Sequence, residues 1–253
     1  MRPWPLLILW LLATPAGAHP FLDLLAAHPP SAEDLERARE LLAEGRPLRP
    51  RGEATLAPFH RRPALPAGGR RSLCQGCHDD PPHRRSVRTR AFLNAHTATI
   101  DCLTCHLPGR RPGDYRWLAY DGADAGRAVP PPAEGLPDGA SLAPRPGARI
   151  APFQGDRPLV LFADAPAARE LLARWQAARG EARVRLHARL HAPLQRRGAP
   201  CRACHAPRPE RLDLAALGAR GERLRDLTHN PVADFFARYR RPGQRLSLEG
   251  LLP

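Results

Sequence analysis

The stretch Cys74–His106, "CQGCHDDPPHRRSVRTRAFLNAHTATIDCLTCH", begins and ends with the same five-residue motif, Cys-x-x-Cys-His. A third copy of the motif, "CRACH", spans Cys201–His205. The three motifs use all six cysteines of the chain. Two more histidines, His83 and His96, lie between the first two motifs and belong to neither. The function of the chain therefore depends on what the motifs bind and on what these extra histidines add.

Three kinds of site use closely spaced cysteines, and one of them explains every element of the motif. Disulfides are common in exported proteins, and zinc ribbons contain Cys-x-x-Cys, but neither requires a histidine after every second cysteine. Covalent haem attachment does, because two thiols bond one haem and the next imidazole becomes the proximal iron ligand. The motifs therefore predict three covalently bound c-type haems (Fe). The predicted thioether residues are Cys74, Cys77, Cys102, Cys105, Cys201 and Cys204, and the predicted proximal ligands are His78, His106 and His205.

The second axial ligand of each iron must come from a histidine outside the motifs. The single methionine is Met1, which falls in the predicted export signal, so methionine ligation is excluded. Distance from the motifs separates the remaining histidines: His19 and His28 are expected on the surface near the mature terminus, and His229 is a weak candidate. The distal candidates, in order of preference, are His96, His191, His60, His83 and His187.

Local sequence patterns refine this order only in part. Residues 86–100, "SVRTRAFLNAHTATI", predict a helix with Ser86 as its N-cap, which places Phe92 and His96 one turn apart beside an apolar row. His187 and His191 are also one turn apart. Such a pair serves either two neighbouring haems or one haem and a propionate, and the pattern favours His191 only slightly.

Charge and export limit the partners. Residues 1–18 have the form of a cleavable signal peptide, so we expect a periplasmic protein, with the outer surface or the extracellular space as alternatives. The net charge is +14, yet the arginine pairs are scattered and the chain is exported, so we expect no nucleic acid. The charge instead predicts redox partner proteins with an acidic docking surface, or an anionic membrane surface, besides pairing with haem carboxylates.

Composition and periodicity predict a mainly α fold with extensive irregular loop, at most one short strand pair, and haem in place of a large aromatic core. Helices are expected at 31–44, 167–179 and 182–194 and in the C-terminal tail, and a strand is expected within 157–166. The predicted organisation is a signal peptide (1–18), an N-terminal helix with a Pro/Arg-rich loop (19–73), a two-haem segment (74–120), a linker or wrapping loop (121–149), and a third-haem segment with C-terminal helices (150–253).

The three motifs and their flanking histidines resemble the multihaem c-type cytochromes of proteobacterial periplasms, in particular three-haem proteins with bis-histidine ligation. The resemblance covers about residues 60–120 and 185–217, where "TRAFLNAHT", "DCLTCH" and "LHAPLQRRGAPCRACH" occur. It implies an electron carrier, not an enzyme, that moves single electrons between a membrane-side donor and a periplasmic or outer-surface acceptor. The alternative is a haem reductase acting on a small nitrogen or sulfur oxyanion at one five-coordinate iron. The five spare histidines argue against an open iron.

Overall fold

The computed structural model describes residues 19–44, 70–78, 82–83, 89–108, 115–120, 128–131 and 148–239. The predicted signal peptide, the candidate ligand His60 and the predicted N-cap Ser86 lie outside these residues. The helices are α1 (Pro20–Ala27), α2 (Ala32–Glu44), α3 (Leu73–Cys77), α4 (Arg90–His96), α5 (Cys102–His106), α6 (Pro166–Ala177), α7 (Gly180–His191), α8 (Gly221–Thr228) and α9 (Pro231–Arg238). A 3₁₀ turn spans Cys201–Ala203, and the strands are β1 (Arg116–Tyr120), β2 (Ala128–Val129), β3 (Arg149–Gln154) and β4 (Arg157–Pro158).

The strands form one antiparallel sheet, and its presence corrects the predicted fold class. Its order is β2-β1-β3-β4, with Leu118 of β1 opposite Ala151 of β3. A fold with at most one short strand pair was therefore the wrong prediction. The expected strand at 157–166 was also largely wrong, because only Arg157 and Pro158 belong to a strand.

Two features of the sequence concealed the sheet. Strand β3 contains Pro152, which has no N–H to donate and which argues against an interior strand position. In the structure its carbonyl is still used, because it accepts a hydrogen bond of 2.9 Å from the Leu159 amide. The β1–β3 pairing also joins segments that are distant in sequence. The β3–β4 hairpin is local, and its two-residue turn uses Gly155 at a φ of 61°.

The beginning of β3 holds the second Cys-x-x-Cys-His motif in place. The Ile150 carbonyl accepts hydrogen bonds from the Asp101 amide at 2.9 Å and from the Thr104 hydroxyl at 3.0 Å. The Ile150 amide donates to the Thr99 carbonyl at 2.8 Å. Thr104 and Asp101 are both buried, so these bonds form away from water and fix α5 against the sheet.

The helices pack around this centre in two groups. Phe21, Leu24 and Leu25 of α1 pack with Leu73 and Leu103, which flank the first two motifs. Helices α2 and α7 form a separate pair whose core contains Ala38, Val184 and Ala188. The predicted helices at 31–44, 167–179 and 182–194 are confirmed within a few residues as α2, α6 and α7, and the helical tail is confirmed as α8 and α9. Among the described residues, no helix is long and apolar enough to cross a membrane.

Candidate functional site

Each Cys-x-x-Cys-His motif lies on a short helical segment. The first is α3, which begins after Ser72 and is capped by the Gln75 side chain, whose oxygen accepts from the Ser72 amide at 3.0 Å. The second is α5, where Asp101 accepts from the Leu103 amide at 3.0 Å. The third is the 3₁₀ turn. All six cysteines are free thiols, so the motifs do not form a disulfide framework.

The second motif lies between the other two. The Cys74 thiol is hydrogen-bonded with Cys102, and this contact, together with burial, raises the pKa of Cys74. Burial raises the pKa of Cys105 to about 11 and that of Cys204 to about 12, and each of these thiols also feels the charge of cysteines in the other motif. The long separation in sequence between the second and third motifs is thus closed in space.

Each motif histidine faces one histidine from elsewhere in the chain. The ring centres of His78 and His191 are 6.0 Å apart, with 81° between the ring planes. Those of His106 and His83 are 6.3 Å apart and nearly parallel, at 11°. Those of His205 and His96 are 6.0 Å apart, at 75°. We call these three arrangements the imidazole pairs.

The spacing of the imidazole pairs is that of two axial ligands on opposite sides of one metal ion. An imidazole nitrogen bonds a metal at about 2 Å and each ring centre lies roughly 1 Å behind its nitrogen, so opposite ligands have ring centres about 6 Å apart. The parallel pair His106–His83, at 6.3 Å, is wider than the stacked rings of His187 and His191, which lie 4.2 Å apart. The two edge-to-face pairs, at 6.0 Å, are within the range of direct aromatic contact as well as that of two metal ligands.

Hydrogen bonds at Nδ1 orient the rings of the pairs. The Nδ1 of His96, His106, His191 and His205 lies 2.7 to 2.9 Å from the backbone carbonyls of Phe92, Gln195, His187 and Leu227 respectively. The Nδ1 of His83 lies 3.0 Å from Oδ1 of Asn94. When Nδ1–H donates to a carbonyl, Nε2 is left as the unprotonated nitrogen that can bind a metal. These second contacts therefore prepare the rings for ligation.

The distal candidates fall into three groups. His96, His191 and His83 each face a motif histidine. His187 faces none in a pair. It stacks on His191, lies 6.2 Å from the Trp175 ring, and has a buried Nδ1 without a hydrogen bond. Burial lowers the pKa of His187 to about 4. His60 lies outside the described residues.

Residues on both sides of the third motif close around the second motif. The Ala199 amide and the Gln195 side chain donate to the Cys105 carbonyl at 2.9 and 3.0 Å. A methyl group at Gly198 would lie 3.3 Å from Cys105 Cβ, so this approach requires a small residue. The Arg211 guanidinium donates to the carbonyls on either side of the Cys105–His106 dipeptide, those of Thr104 at 2.8 Å and Leu107 at 2.9 Å.

Sequence reasoning did not identify Asn94, Gln195 or Arg211 as site residues. Asn94 orients His83 through three hydrogen bonds, from the His83 amide, from its ring and to its carbonyl. Nothing in the local pattern marks these residues, since they act across 11, 90 and 107 positions of sequence. Only the proximity of Asn94 to His83 along the chain could have suggested a contact.

The cofactor prediction requires a correction. Among the described residues, no group of three or more His, Cys, Asp or Glu side chains is placed so that it could hold a metal ion. The prediction of three covalently bound c-type haems is therefore not carried forward as a finding. The physical reason is that each imidazole pair supplies only two nitrogens, and the neighbouring cysteines are free thiols. The protein side chains alone form no complete coordination shell, and any further ligands would have to come from a bound group.

Comparison with known proteins adds no relationship. The chain matches no protein-family model, no curated protein and no solved structure.

Proposed function

We propose that this chain is a periplasmic electron-transfer protein of the c-type cytochrome class, which carries single electrons from a membrane-side donor to a periplasmic or outer-surface acceptor. The observation that supports it best is the set of three imidazole pairs, with ring centres 6.0, 6.3 and 6.0 Å apart. Each pair combines a histidine from a Cys-x-x-Cys-His motif with one from outside the motifs. An unrelated role for the histidines gives no reason for this combination to recur three times.

The chain's own residues would hold a redox group from two sides. His78 and His191, His106 and His83, and His205 and His96 would hold it between them, and the cysteines beside each motif histidine would help to retain it. The group would supply a one-electron couple. The Nδ1 hydrogen bonds keep the imidazole planes fixed, so an electron could enter or leave without moving the ligands, which favours rapid transfer.

Burial keeps several of the imidazoles neutral. It lowers the pKa of His83, His191 and His205 below 6.5, so these rings are unprotonated near neutral pH. A neutral imidazole is the form that binds a metal. These three rings therefore need no proton release when the group binds at neutral pH.

The imidazole pairs favour a carrier over the reductase alternative. An enzyme of that kind needs one open coordination position for its substrate. In this chain each motif histidine has an opposing imidazole that would hold the group from its other side. No feature of the described residues favours an open site.

The experiment measures the spin state and mass of the exported protein and of three single variants, His83→Ala, His96→Ala and His191→Ala. We expect a wholly low-spin ferric spectrum in the wild-type protein. Its mass should exceed that of the polypeptide, and the difference should give the number of bound groups. Each variant should convert one low-spin signal to a high-spin signal that binds cyanide. The matched control is His229→Ala, because His229 is exposed and, among the described residues, its ring is hydrogen-bonded to Thr228 and Arg225 of its own helix end.

Two results would contradict the proposal. The first is a mass equal to that of the bare polypeptide, or one that contains only zinc. The second is a wild-type spectrum with a high-spin component that binds nitrite, which would favour the reductase.

A further inference from the structure

The imidazole pair of the second motif, His106 and His83, differs in geometry from the other two pairs. Its ring planes are nearly parallel, at 11°, whereas the planes within the pairs of the first and third motifs are 81° and 75° apart. The ring centres of the second pair, at 6.3 Å, are also wider apart than those of the stacked rings of His187 and His191, at 4.2 Å. The parallel arrangement of the second pair is therefore not that of two rings stacked in contact.

Hydrogen bonds hold both rings of the second pair at two points each. Oδ1 of Asn94 accepts from the His83 amide at 3.0 Å and lies 3.0 Å from His83 Nδ1, and Nδ2 of Asn94 donates to the His83 carbonyl at 3.0 Å. Across the gap, the Gln195 amide donates to the His106 carbonyl at 2.8 Å, and the Gln195 carbonyl lies 2.9 Å from His106 Nδ1. Because backbone and ring are fixed together, neither ring can turn without breaking a hydrogen bond.

The ring of His83 depends on a side chain, whereas the rings of the other two facing histidines do not. Nδ1 of His96 and Nδ1 of His191 each lie near the backbone carbonyl four residues earlier in their own helix. These two rings are oriented by the helix that carries them. The orientation of His83 is instead set by Asn94, which is 11 positions away in the sequence.

We infer that Asn94 is a positioning residue that keeps His83 parallel to His106 and so makes the second site electronically different from the other two. When two imidazole planes are parallel, their π donation to a metal held between them lies along one direction and separates the metal d orbitals in energy. Crossed planes donate along two directions and leave these orbitals close in energy. Hydrogen bonds to the far side of the rings select between the two cases. The inference rests on the proposed function, because it concerns the redox group that the pair would hold.

The first test is the EPR spectrum of the exported wild-type protein in its ferric form. Parallel ring planes predict a rhombic low-spin signal, and crossed planes predict a low-spin signal of much greater anisotropy. We expect one signal of the first kind and two of the second, with equal integrated intensities. Three signals of one kind would overturn the inference and leave the proposed function standing. A protein without low-spin iron signals would overturn both.

The second test uses two variants of Asn94 to assign the rhombic signal. In Asn94→Ala we expect this signal to be lost, because the His83 ring is released, while the other two signals keep their position and intensity. Asn94→Asp keeps oxygen acceptors for the His83 amide and ring, so the rhombic signal should remain. Its carboxylate charge beside Nδ1 favours the oxidised state, so the midpoint potential of that site alone should fall.

The matched control is Asn230→Ala, which removes the same amide group from the start of α9, where Oδ1 accepts from the Val232 and Ala233 amides. It should leave all three signals unchanged. A rhombic signal that survives in Asn94→Ala, a change of equal size in all three signals, or the same change in the control would overturn the inference. If Asn94→Ala does not fold, Asn94→Asp still decides, because loss of its rhombic signal or an equal fall of all three potentials would contradict the inference.

Discussion

Replacing Thr104 by valine tests whether the sheet holds the second motif. Thr104 is fully buried, and its hydroxyl donates to the Ile150 carbonyl of β3 at 3.0 Å. Valine keeps nearly the same volume, so no cavity opens. The Ile150 carbonyl still accepts from the Asp101 amide at 2.9 Å, so no buried acceptor is left without a partner. The loss is therefore that of one hydrogen bond, about 1 kcal/mol in the free energy of unfolding.

The assay is denaturant unfolding. The midpoint denaturant concentrations of variant and wild type are compared, provided that the slope of free energy against denaturant is unchanged. The matched control is Thr97→Val, because the Thr97 hydroxyl donates to the Asn94 carbonyl at the end of its own helix, so this hydrogen bond joins no second element to α4. We expect the control to lose only a few tenths of a kcal/mol. The reasoning would be refuted if Thr104→Val were as stable as wild type, or if it lost no more than the control.

Four further outcomes follow from contacts and charges elsewhere. Between pH 6.5 and about 4, His187 binds a proton in the unfolded chain but not in the folded chain, so the free energy of unfolding should fall as the pH falls. The His187→Phe variant should lose less of this free energy over the same pH range, by roughly 1 kcal/mol after solvent screening. An equal pH slope for the two proteins in thermal unfolding would count against this. Burial raises the pKa of Asp101, so the wild-type protein loses stability as the pH rises above the ordinary pKa of a carboxyl group. The free energy of unfolding of Asp101→Asn should therefore rise relative to that of wild type from pH 3 to pH 7. A difference between the two proteins that stays constant with pH would contradict this. A methyl group at Gly76 would lie 2.8 Å from a Leu172 methyl, so Gly76→Ala should destabilise the wild-type protein by about 1 kcal/mol. In a Leu172→Ala background this contact is removed, so Gly76→Ala should instead stabilise the protein by about 0.5–1 kcal/mol. Denaturant titrations of the four chains would show no such change of sign if the contact were absent. The net charge of +14 predicts that binding to an acidic redox partner, followed by calorimetry, weakens as salt rises from 50 to about 200 mM; an affinity independent of salt would contradict a charge-driven docking surface.

The sequence was most informative where structure is local. Helices α2, α6 and α7 follow from apolar periodicity, and the three motifs follow from spacing. The sheet did not follow, because the cost of Pro152 in β3 is offset by pairing with β1, a partner that no local window contains. Tertiary pairing therefore overrode the local signal.

The site was predictable as a set of residues but not as an arrangement. The motif spacing identified His78, His106 and His205, and elimination of methionine left a short set of opposing histidines. Which histidine faces which depends on how α4, α7 and the loop at His83 pack, and one-dimensional spacing carries no such information. In the structure His191 faces the motif histidine His78, whereas His187 stacks on His191. Arg211 had no signal at all among 39 arginines, because its importance comes from burial.

The most direct test of the account is crystallographic: anomalous diffraction from the exported protein, with data on both sides of the iron absorption edge. The account predicts an iron peak between the two rings of each imidazole pair, with the Nε2 atoms of His78 and His191, of His106 and His83, and of His205 and His96 on opposite sides of it. Absence of iron from all three gaps would contradict the account, and so would iron bound by a motif histidine with a different histidine opposite.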